Sequence, residues 1–72
     1  MTRERAIELA RAVARAEGWL WLKPVHVIRF RRWWIGPVAW KVVTNTDKLG
    51  TNVRIVIDDS TEQIIKKGFL PR

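Results

Sequence analysis

The apolar residues of this chain change period once, at Gly18, and never change back, which restricts the fold to one helix followed by strands. Before Gly18, Ala6, Ile7, Leu9, Ala10, Val13 and Ala14 recur at three- and four-residue spacing, with Arg5, Glu8, Arg11 and Arg15 on the opposite side. This pattern predicts an amphipathic helix over about residues 2–17. Thr2 is the N-cap, Glu4 sits at the positive end of the dipole, and Gly18 is a left-handed stop. After Gly18 period-two alternation predicts strands over about residues 25–35, 38–45 and 52–58, and a fourth strand is expected over about residues 63–69 between a polar turn and Pro71. With short connections between them, these strands form an antiparallel meander. A single helix covers only one face of such a sheet. The expected fold is therefore a two-layer α+β domain with the N-terminal helix packed on one face of a four-stranded sheet and the other face open.

The connections carry their own signals. Residues 19–24 are bulky, with Trp19, Leu20, Trp21 and Leu22 before Lys23 and Pro24, and are expected to pack over one end of the core. Gly36 and Pro37 break the first strand from the second. Residues 45–50 form a polar loop, and Asp58, Asp59, Ser60 and Thr61 supply turn chemistry before the last strand. There, Lys66 and Lys67 suit an exposed edge and Pro71 ends the strand.

Seventy-two residues allow one small core and thus one domain, and without cysteine its stability must come from packing, with five tryptophans as the main source of bulk. The missing cysteines fit a reducing compartment. Residues 1–18 carry charge throughout and lack the apolar run of a signal peptide, and no segment reaches the roughly 20 apolar residues of a membrane span. The expectation is a soluble cytoplasmic protein. Fourteen Lys and Arg against seven Asp and Glu leave a formal charge of +7, which favours negatively charged partners.

The inventory for catalysis is thin. The chain has one histidine, His26, one serine, Ser60, and neither cysteine nor tyrosine. Ser60 lies in an Asp-rich turn, where its hydroxyl serves the backbone. Asp58 and Asp59 are consecutive and point apart, Asp47 is the only other aspartate, and His26 has no second histidine with which to hold zinc. Gly50 is isolated, so no glycine-rich phosphate loop exists. Neither an enzyme, a metal site nor a cofactor is expected.

Chemistry remains in the sheet. The segment VHVIRFRRWWI at residues 25–35, read as one strand, sends Arg29, Arg31 and Trp33 to one side and Ile28, Phe30 and Trp34 to the other. With Ile28, Phe30, Trp40, Val42, Val53, Ile55 and Ile57 toward the helix, the open face would display Arg29, Arg31, Trp33, Lys41 and Arg54, interspersed with Val43 and Val56. Such a face fits nucleic acid, with cations on phosphate and the indole stacked on a base. It also fits a protein partner or a second copy of the chain. RFRRWW read as a membrane-active helix conflicts with the strand signals on either side of it.

Two further stretches carry a family resemblance. Residues 40–43, WKVV, and residues 56–65, VIDDSTEQII, resemble the PepSY family and related cystatin-like modules, in which a strand ending in Asp turns into the last strand. The Ala-rich TRERAIELARAVA is similar to that family's opening helix. Glu62 stands where the family usually has glycine, and the RFRRWW strand has no family counterpart. The resemblance implies a non-catalytic role in protein interaction or peptidase regulation, with no shared catalytic residues. Small immunity proteins of bacterial toxin systems also look like this.

Overall fold

A computed structural model describes residues 1–71. Helix α1 (Arg3–Glu17) opens with Thr2 extended and its hydroxyl accepting from the Arg5 N–H, and closes at Gly18, which is left-handed with φ 76°. Four strands follow, β1 (Val25–Arg31), β2 (Val38–Thr44), β3 (Asn52–Asp58) and β4 (Ile64–Leu70). They pair antiparallel in the order β1-β2-β3-β4. The helix-on-meander expected from the periodicity is the fold observed.

The helix buries Ala6, Ala10 and Ala14, one residue per turn, against Trp40, Val42, Val53, Ile55 and Ile57 of the two central strands. Alanine at these positions lets the helix backbone lie close to the sheet, so a larger side chain at Ala10 would overpack by about 1–3 kcal/mol. Trp19 and Trp21 join the core margin from the connector, as its bulk implied, and Trp19 stacks on Phe69 with ring centroids 5.7 Å apart. Leu20 stays largely exposed.

The register corrects the expected assignment of faces on β1. Val27 pairs with Val42, Arg29 with Trp40 and Arg31 with Val38, so Arg29 and Arg31 lie on the helix side of the sheet, and Ile28 and Phe30, paired with Lys41 and Ala39, lie on the open side. Two physical reasons account for this. First, β1 is an edge strand and the helix covers mainly β2 and β3, so neither face of β1 near Arg29 is sealed from water and hydrophobicity discriminates weakly between the two phases. Second, the phase is set at the covered end of the strand, where Val25 and Val27 pack on the core. β1 is also shorter than expected, ending at Arg31. The Arg32 N–H donates to the Pro37 carbonyl at 3.0 Å and starts the turn, so Trp33, Trp34 and Ile35 belong to a loop.

Candidate binding surfaces

Cross-strand pairing arranges the open face in rows. One row runs Ile28, Lys41, Val56, Lys66, and the next runs His26, Val43, Arg54, Gly68. Cations therefore alternate with apolar side chains across the sheet. Phe30, Lys41, Arg54, Val56, Lys66, Lys67 and Gly68 line a depression of about 250 Å³. Among the described residues, Lys41, Arg54 and Lys66 have no carboxylate within ion-pair distance, in contrast to Lys67, whose Nζ donates to Glu17 at 2.8 Å on the helix side. Ile28 is 49% exposed on this face.

Of the five residues expected to share one surface, Lys41 and Arg54 are on the open face. Arg29 and Arg31 are on the other, and Trp33 is in the β1–β2 turn. Phe30 and Ile28 were expected inside and instead floor the open face. Lys66 was read as an edge guard and is part of the cationic row. The Val27–Val42 pairing with strict alternation locates Ile28 and Phe30, whereas Lys66 is placed by its pairing with Val56 across a β3–β4 register that shifts between Val56 and Ile57.

The β1–β2 turn is the second surface. The Gly36 N–H donates to the Trp33 carbonyl at 3.2 Å, and Arg31 Nη1 donates to the Gly36 carbonyl at 3.3 Å. Trp34 and Ile35 are the central residues of this turn and are 92% and 86% exposed. Trp33 lies back across Gly36, where a Cβ would run into the indole, and the Arg32 guanidinium sits 5.6 Å from the Trp33 ring centroid.

Three acidic residues close to this end, Asp58, Asp59 and Glu62, are engaged, while the side chain of Glu4 in the first turn of α1 has no ion pair among the described residues. Asp58 Oδ2 accepts from the backbone N–H groups and hydroxyls of Ser60 and Thr61 at 2.9–3.1 Å, the Asp-rich turn chemistry expected there. These bonds, the Thr61 N–H foremost, hold its carboxyl below the usual carboxylate range. Asp59 Oδ1 accepts from the Trp40 indole N–H at 2.6 Å and lies 3.4 Å from the N-terminal nitrogen, and the indole bond is the main reason its carboxyl is also lowered. Glu62 is lowered by Arg5, which donates to it at 2.9 Å and also pairs with Glu8. Glu62 has φ 60°, the left-handed conformation that glycine adopts without strain.

Other candidate groups do not converge. His26 is at the Val43 end of β1, and Ser60 lies past the opposite end of β3, donating to Asp58. Among the described residues no three His, Cys, Asp or Glu side chains come together as a metal site would require, and no helix is long and apolar enough to cross a membrane. No family model matches the chain, nor does any curated protein sequence or solved structure.

Proposed function

We propose that this chain is a non-catalytic protein-interaction module, PepSY-like in its layout, which binds an acidic, partly apolar segment of another protein on the open sheet face. The observation that carries this reading is the alternation of Lys41, Arg54 and Lys66, which have no carboxylate partner among the described residues, with Ile28, Val43 and Val56 around the depression beside Phe30. An exposed face that is half apolar gains by being covered, and its three cations select a carboxylate-bearing cover. The PepSY resemblance adds peptidases to the partner classes that fit. Nucleic acid is the weaker match, because the indole assigned to base stacking and two of the assigned arginines are not on this face.

The test places an acidic leucine-containing peptide beside single- and double-stranded oligonucleotides at two salt concentrations, with sedimentation to give the mass of the free chain. The peptide is expected to bind a monomer, and Lys41→Glu with Arg54→Glu should weaken it by at least about tenfold, as reversal of two charges at a contact implies. Oligonucleotide binding that loses nearly one log unit per phosphate contact per log unit of salt, and is abolished by the same substitutions, would overturn the proposal in favour of nucleic acid. So would a stable dimer that buries Phe30.

A further inference from the structure

We propose that the β1–β2 turn is a membrane-interface anchor, in which Trp34 and Ile35, flanked by Trp33, enter the headgroup region of an anionic bilayer while Arg31 and Arg32 contact lipid phosphates. This surface is separate from the open sheet face and does not depend on it.

The residue types at the apex serve no need of the turn itself. Tight turns are built from Gly, Pro, Asn, Asp and Ser, which relieve backbone strain or cap it locally. Here the two central positions hold Trp34 and Ile35. None of Trp33, Trp34, Ile35 or Gly36 has a left-handed φ, and the bonds closing the turn are backbone to backbone apart from that of Arg31. Polar residues would close it equally well. Two large apolar side chains that are 92% and 86% exposed at the tip of a hairpin therefore point to a contact outside the chain.

The chemistry of the tip selects a lipid interface. Indole rings combine a broad apolar body with one N–H donor and concentrate at the headgroup level of bilayers, and arginines directly behind them reach phosphate while their stems stay in the apolar layer. The segment 18–46 contains no acidic residue but carries Lys23, Arg29, Arg31, Arg32 and Lys41, within a chain of net charge +7. Of the carboxylates at this end, Glu62 is offset by Arg5 and Asp59 by the N-terminal ammonium, whereas Asp58 and Glu4 have no cationic partner among the described residues and oppose an anionic surface. For reading base edges residues 32–37 offer only Arg32, whose guanidinium lies against the Trp33 ring, with no amide or hydroxyl side chain beside it. The sequence conflict that excluded a lipid-lying helix does not arise, because the tip is a turn and the strands behind it remain paired.

The experiment measures binding of the full chain to phosphatidylcholine vesicles with and without phosphatidylglycerol, by co-sedimentation and by tryptophan quenching with brominated lipid. Binding is expected on the anionic vesicles only, with quenching. Arg31→Gln with Arg32→Gln should weaken it by about tenfold or more, since each juxtamembrane cation contributes about 1 kcal/mol. Trp34→Ser with Ile35→Ser should abolish both binding and quenching, and Arg54→Gln on the open face should change neither. An unchanged urea midpoint in the tip variants confirms that they are folded. Absence of binding to anionic vesicles at low salt overturns the proposal. So does binding undiminished in the Trp34/Ile35 variant, or a tip-dependent complex with an oligonucleotide or a second copy in place of vesicles.

Discussion

Before β2 the chain turns through residues 32–37 on backbone bonds that leave Trp34 and Ile35 in solvent. After β2 it turns through residues 45–51 around the side-chain amides of Asn45 and Asn52, which are almost fully buried. Asn52 Nδ2 donates to the carbonyls of Thr44, Asn45 and Lys48, its Oδ1 accepts from the Gly50 N–H, and Asn45 Nδ2 donates to the Gly50 carbonyl at 3.1 Å. The Asn45 N–H also donates to the Leu22 carbonyl, tying the loop to the connector. In one loop the two buried amides are accounted for by the backbone they satisfy, although Leu49 of that loop is also 89% exposed. In the other the large side chains satisfy nothing within the chain. The contrast separates residues that build the fold from residues left over for a partner.

The sharpest way to break this contrast is Asn52→Ala. Removing the amide leaves buried backbone donors and acceptors without partners, and the expected loss is about 2–4 kcal/mol in urea unfolding. A loss under about 0.5 kcal/mol would mean that water replaces the amide and that the loop is not built around it. Next in size is Thr51, a β-branched residue at φ 56°. Thr51→Gly should stabilise by about 0.5–1 kcal/mol, the strain relieved exceeding the extra entropy of glycine in the unfolded chain, and raise Tm by a few degrees. No change in Tm would show that the loop holds Thr51 without strain.

A smaller effect is expected on acidification. Asp58, Asp59 and Glu62 all have folded values below their ordinary ones. The stability they contribute is complete above the unfolded carboxylate range and is lost as pH falls through the lowered values. The urea midpoint should thus be level from about pH 8 to pH 5 and decline below about pH 4. Asp58→Asn should flatten part of that decline; an unaltered acid limb in this variant would assign the loss to other carboxylates. The smallest effect belongs to the tip, where Trp34→Ser with Ile35→Ser should shift stability by less than about 0.5 kcal/mol, because exposed side chains at 92% and 86% have little burial to lose. A larger loss would make the indole part of the fold and erase the distinction between the two loops.

Much of the fold was legible in the residues, the candidate surfaces less so. Helix α1, its caps and its Ala face follow from local spacing, the first three strands follow from alternation bounded by turn residues, and β4, IIKKGFL, follows from its place between the Asp58 turn and Pro71. The mistake on β1 came from ranking its two faces by hydrophobicity alone. Whether the β1–β2 loop is taken as residues 36–37 or 32–37, it has an even number of residues, and an even loop pairs odd positions of β1 with even positions of β2. Either way Arg29 falls on the face of Trp40, and with the loop at residues 32–37 it falls directly beside it, as observed. That parity was present in the sequence as a weaker signal than the apolar contrast of Ile28 and Phe30. By contrast, the turn at Trp33–Trp34–Ile35 has no turn-residue signature, so strand propensity carried the reading through it.

By itself, the sequence determined the order of elements, the single covered face, the helix caps and the Asp58 turn, because each depends on residues close together in the chain. Only the tertiary structure decided which side of the sheet receives Arg29 and Arg31, that Lys66 joins Lys41 and Arg54, and that Asp59 is engaged by Trp40. These depend on strand register and on where the helix stops covering the sheet. Both are set by packing at the covered centre, and at an edge strand open to water on both faces the local sequence has too little burial energy to choose.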